Sequence, residues 1–125
     1  MRVVEIIEKI NGTIVTNKQD TEFTDIYAGD LLSNVMGHAK ENNLFLTIMC
    51  NMNTIAVSSL LDLPVIVFAE GVKPTDEMIE KANDEDKVLI ITPLSVVDVI
   101  RKIYGIWNIF MIYISILLYH LVLIS

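Results

Sequence analysis

The chain has 125 residues, 53% of them apolar, which is enough to build one sizeable core and too little for two full domains. Nine Lys and Arg stand against sixteen Asp and Glu, a net charge of −7, and the bases are scattered among acids. That distribution argues against a nucleic-acid partner, because phosphate binding requires a basic stripe. Cys50 is the single cysteine, so an internal disulfide and a multi-cysteine metal site are excluded. The glutamates of MRVVEIIEKI stand where a secretory leader would be apolar, which makes a reducing cytoplasmic setting the expectation.

In chain order, VVEIIEKI puts Val3, Ile6, Ile7 and Ile10 on one helical stripe, with Asn11-Gly12 as its stop signal. The β-branched run TIVT then reads as a short strand, NKQDTEFTD as a loop, and Ile26 to Ala28 as a second short strand. DLLSNVMGHAKEN reads as a helix with Leu31, Val35 and Ala39 inward, and Asp30 and Ser33 at its capped entry. From Leu44 the pattern is regular. LFLTIMC, LPVIVFA and KVLIIT are continuous apolar runs suited to strands buried on both faces, each followed by a helical segment. Asn53 can cap TIAVSSLLD, Thr75 with Asp76 and Glu77 suits a positive helix end, and Thr92-Pro93 begins LSVVDVIRKIYG.

Strand and helix thus alternate three times, and consecutive right-handed βαβ units place helices on both faces of a sheet. The expected fold is α/β: a three-layer α/β/α sandwich with a mostly parallel sheet over residues 1–105, plus a hydrophobic C-terminal segment at 106–125.

In such a sheet a ligand sits outside the carboxyl ends of the strands. The residues there are Gly29, Asp30 and Ser33, then Cys50, Asn51, Asn53 and Thr54, then Glu70, Gly71 and Lys73, and then Thr92 and Ser95. As a ligand-binding set we take Asp30, Ser33, Asn51, Asn53, Thr54, Glu70, Gly71 and Thr92, which offer amide, hydroxyl and backbone groups fit for an anion or nucleotide. Plain structural roles compete with this reading: Asn51, Asn53, Thr75 and Thr92 are preferred helix caps, and Gly71 suits a turn at positive φ. No catalytic constellation is present, and His38 and His120 lack partners at metal-ligand spacing, so no cofactor and no metal is expected. Cys50 has no base positioned by spacing, and no Walker A, GxGxxG or nucleophile elbow occurs.

The entry GDLLS, the turn GVKPTDE and the junction IITPLS resemble the DRTGG domain, and the likeness covers about Met1 to Gly105. It is nearest to the small stand-alone DRTGG proteins, themselves similar to the N-terminal domain of HPr kinase. The resemblance implies a non-catalytic, regulatory α/β domain, found elsewhere beside cystathionine-β-synthase-type nucleotide sensors in pyrophosphatases and commonly dimeric. Two motifs depart from the family: where it has an Asp-Arg pair and a Thr-Gly-Gly, this chain has CNMNT and FAEGV, with only Gly71 retained. Asn51 and Asn53 can offer neutral hydrogen bonds in place of the charged pair. Kinase activity does not follow from the likeness, because that chemistry needs a P-loop.

The tail IWNIFMIYISILLYHLVLIS carries no charged side chain, and every Lys, Arg, Asp and Glu lies at or before Lys102. As a helix, residues 103–124 would reach about 33 Å, against a hydrocarbon core of about 30 Å. Arg101 and Lys102 before it, with Tyr104, Trp107 and Tyr119 toward its ends, are what a membrane anchor would carry. Asn108 and His120 within it also allow an out-of-frame extension or an extra packed helix. The function expected is a non-catalytic ligand-sensing module for a small anion or adenine nucleotide, as a homodimer, with the membrane as a further partner through 103–124. The alternative is an interaction or dimerisation module with no small ligand.

Overall fold

The computed structural model describes residues 1–124, except for the side chains of 106–110. Its described elements run α1 (Val3–Ile6), β1 (Thr13–Ile14), β2 (Asp25–Ala28), α2 (Leu32–His38), β3 (Asn43–Thr47), α3 (Met52–Leu60), β4 (Val65–Phe68), α4 (Asp76–Asp84), β5 (Val88–Ile91) and α5 (Val96–Ile124). The strands form a five-stranded sheet in the order β1-β5-β4-β3-β2, in which β2 to β5 are parallel and β1 is antiparallel to β5. The expected mostly parallel α/β sandwich is what forms.

Register explains why the strand sequences are apolar without alternation. Leu44, Val65 and Val88 pair across the sheet, as do Leu46, Val67 and Ile90, and these side chains join Val3, Ile6, Ile10, Val99 and Ile103 in one core. The alternate row, Phe45, Ile66 and Leu89, points the other way. There Ile66, Phe68 and Leu89 pack on Ile55, Met78 and Ala82, while Phe45 packs on Val35 and Leu63. Helices α2, α3 and α4 therefore cover one face, and α1 and α5 the other. Both rows must be apolar because both are buried.

The helix-to-strand turns are short for a definable reason. After α3, Leu63 N donates to Ser58 O (2.8 Å) and Asp62 N to Ser59 O (3.3 Å); after α4, Lys87 N donates to Ala82 O (2.9 Å) and Asp86 N to Asn83 O (3.1 Å). This paired closure puts Asp62 (φ 56°) and Asp86 (φ 57°) in the left-handed region, which Asp and Asn tolerate better than other side chains. Gly12 is required by packing instead: a Cβ there would lie 2.7 Å from Ile7 Cδ1 and 2.9 Å from Ile90 Cγ2. Its bare backbone lets the chain cross the β5 face and enter β1.

Several local expectations are corrected. The first helix is one turn, Val3–Ile6, although its stripe is as expected, with Val3, Ile6 and Ile10 buried. The cap of α3 is Asn51, whose Oδ1 accepts from Thr54 N (3.3 Å), not Asn53. Helix α5 begins at Val96, with Ser95 Oγ accepting from Asp98 N (3.1 Å), so Thr92 is not its cap. Leu31 is 59% exposed rather than inward, and α2 has no side-chain cap bond.

Helix α5 continues through Gly105, where the sequence suggested a stop. Among the described residues no helix is long and apolar enough to cross a membrane. The expected anchor through 103–124 thus finds no support there. Tyr104, expected at a lipid interface, donates its hydroxyl to Asp25 at the start of β2. Trp107 and Asn108 lie outside the described side chains.

Candidate functional site

The carboxyl ends of β2 to β5 lie along one rim of the sheet, but the connections leaving them are not alike. Those after β2, β3 and β4 rise to the face of α2, α3 and α4; the one after β5 leads to α5 on the opposite face. Neighbouring parallel strands whose chains depart to opposite faces mark the part of such a rim where a ligand crevice is expected, here the ends of β4 and β5.

Local backbone chemistry shapes that opening. Glu70 (φ 59°) and Gly71 (φ 75°) are successive left-handed residues, and Val72 N donates to Ala69 O (3.3 Å), closing a tight turn of the type that needs positive φ at both central positions. Glu70 N donates to Leu94 O (2.8 Å) and Gly71 N to Thr92 O (3.0 Å), which lash this turn to the β5–α5 connection. Gly71 thus has the turn role expected of it, and Val72 and Lys73 are carried over the end of β5 toward β1.

A cavity of about 140 Å³ results, lined by Asn11, Thr13, Gly71, Val72, Lys73, Ile91, Thr92 and Pro93. Its floor is apolar and its rim polar. Asn11 sits at φ 51°, ending the first turns, and Thr13 pairs with Ile91 at the start of β1. No hydrogen bond or ion pair occupies the side chains of Asn11, Thr13 or Lys73 among the described residues. Thr92, although lining the cavity, is 2% exposed and bonded inward: its hydroxyl donates to Ile10 O and accepts from Leu94 N (3.2 Å).

Of the eight residues selected from sequence, the structure brings Gly71 and Thr92 to this cavity, with Glu70 adjoining in the turn. Asp30, in the β2–α2 connection, and Asn51 and Thr54, at the entry of α3, all bond within or onto the β3–α3 connection. Asp30 Oδ1 accepts from Thr47 Oγ1 (2.9 Å) and Ile48 N (3.0 Å), so it braces the end of β3 rather than capping α2. Thr54 Oγ1 donates to Met49 O, and Asn51 caps the same turn. Ser33 and Asn53 are exposed on α2 and α3. Asn11 and Thr13 were missed from sequence. They precede the regular strand-helix pattern and reach the rim only because β1 returns beside β5, a pairing between residues far apart in the chain.

The remaining reactive groups lie elsewhere. Cys50 is half-buried, and burial pushes its thiol above the ordinary range, toward the unreactive neutral form. Lys87, 8% exposed at the start of β5, is at the opposite end of the sheet; burial lowers its pKa, with Asp62 and Glu85 pulling the other way. His38 Nδ1 lies 2.8 Å from Asn34 O within α2. Among the described residues no group of three or more His, Cys, Asp or Glu is placed to hold a metal ion.

No family model matches the chain, and no curated protein does. Among solved structures, the chain is similar to the CBS and DRTGG domains of the regulatory region of Clostridium perfringens pyrophosphatase, crystallised with the activator diadenosine tetraphosphate. The TM-score is 0.68 at 15% identity, over 81% of this chain and 45% of that one. The chain spans less than half of the structure it matches, and at this identity the likeness is one of fold: DRTGG-like.

Proposed function

We propose that this chain is a non-catalytic regulatory domain that senses a small ligand, an adenine nucleotide or another compact anion, at the β4–β5 end of its sheet. The observation that carries the reading is a cavity at the carboxyl end of β5, beside β1 and under the turn that leaves β4, rimmed by polar side chains with no partner among the described residues. The kinship of fold with a regulatory region crystallised with diadenosine tetraphosphate supports the same direction. Binding there would bridge β1 to the already joined Glu70-Gly71 turn and β5–α5 connection, and α5 would carry the change outward. Titration calorimetry of the full chain against AMP, ATP and diadenosine tetraphosphate should give a saturable heat with at least one; no heat across the panel overturns the reading.

A second reading has its own observation. Met111, Ile112, Leu118, Leu121 and Ile124 are all more than half exposed, and an apolar run of this extent associates in water. In an interaction or homodimerisation module that surface would be the function. Sedimentation should then show a dimer that a chain ending at Gly105 loses while staying folded.

A further inference from the structure

The geometry points to an oxyanion subsite in the cavity between β1 and the Gly71–Lys73 turn, with Lys73 as the charged anchor and Asn11 and Thr13 as neutral donors to a single phosphoryl group. This inference rests on the ligand-sensing reading above and gives that ligand a chemistry and an orientation.

Three observations support it. The first is charge: in a chain with sixteen acids and nine bases, the cavity lining contains no Asp or Glu and one Lys. The second is availability. Lys73 Nζ, Asn11 Nδ2 and the Thr13 hydroxyl have no partner among the described residues, whereas the Thr92 hydroxyl, the other polar side chain of the lining, is already engaged on both sides. The third is size. About 140 Å³ accommodates a phosphoryl group but falls short of the roughly 300 Å³ at which sites for whole drug-sized ligands begin. A nucleoside would therefore remain outside the cavity, with its phosphate inserted.

The test is calorimetry on the full chain with inorganic phosphate, pyrophosphate, ATP and adenosine, repeated with Lys73→Gln and Thr13→Val. Phosphate-bearing probes should bind and adenosine should not. Lys73→Gln should weaken pyrophosphate and ATP about tenfold, the worth of one charge-assisted hydrogen bond, with Thr13→Val a smaller loss. Raising salt should weaken the wild type more than Lys73→Gln. Both positions are exposed, so thermal melts of the variants should match the wild type. ATP binding that ignores Lys73→Gln, or adenosine binding as well as ATP, overturns the subsite while leaving a ligand-sensing domain standing. Silence from every probe overturns the subsite, and silence from AMP and diadenosine tetraphosphate as well removes the ligand-sensing reading.

Discussion

Replacing Thr92 by Val separates a residue that lines the cavity from one that holds the fold together. Thr92 is 2% exposed, its hydroxyl donates to Ile10 O, and the same oxygen accepts from Leu94 N at 3.2 Å. One side chain thereby ties the end of the first turns, the tip of β5 and the entry to α5. Valine has nearly the same shape, so little cavity forms, but a buried carbonyl and a half-buried amide lose their partner. Leaving a buried polar group unmatched costs about 1–3 kcal/mol, and water can still reach part of Leu94, which puts the sum near 2–3 kcal/mol. For a domain of this length that lowers the melting temperature by about 8–12 °C. Urea unfolding should show an earlier midpoint with an unchanged slope, since the surface exposed on unfolding is the same. Thr92→Ser keeps the hydroxyl and should lose only about 1 kcal/mol. A Thr92→Val protein within about 0.5 kcal/mol of wild type would show that the hydroxyl does not carry these bonds, and the reasoning would fail.

Gly71→Ala should destabilise by about 1 kcal/mol in chemical denaturation, entirely through its φ of 75°, because an added Cβ there meets nothing within 4 Å. The Tyr104 hydroxyl holds the Asp25 carboxyl below its ordinary range, so that pair contributes stability above about pH 4 that is lost as pH falls through the depressed value. Asp25→Asn should accordingly flatten the acid limb of a stability profile, by less than about 1 kcal/mol since the contact faces solvent. Tyr104 itself is raised, first by burial and then by Asp25, so stability should also fall as pH climbs above about 10. Cys50, with its thiol pushed up by burial, should react with a disulfide reagent at neutral pH far more slowly in the native protein than in urea; equal rates would contradict its half-buried setting.

The sequence made the parallel part of the fold legible because its rules there are local. Runs such as VIVF and VLII are apolar on both faces since both faces are covered, and Thr75 announces α4 by capping Met78 N at 3.2 Å. Legibility failed where the deciding partner is distant. β1 has only two residues and is a strand because Thr13 and Ile14 meet Ile91 and Ile90; the Thr16 hydroxyl then accepts from Leu89 N, taking a role that further strand would have filled. Asp30 looked like a helix cap because Asp usually is one at such a place, yet its carboxylate turns to Thr47 and Ile48 across the neighbouring strand end. Asn51 and Asn53 are equivalent by composition, and the exit direction of β3 chose the first. The candidate site was legible only as a rim. Where on that rim a cavity forms depends on β1 returning beside β5 and on the Gly71–Lys73 turn reaching over the pair, a long-range arrangement.

The most direct measurement of the central claim is an amide chemical-shift titration of the isotopically labelled full chain with ATP. The account predicts that the largest shifts fall on Asn11 to Thr13, Gly71 to Lys73 and Thr92, with the amides around Lys87, at the far end of the sheet, unmoved. Shifts centred on the β3–α3 connection, or none at saturating ATP and pyrophosphate, would contradict it.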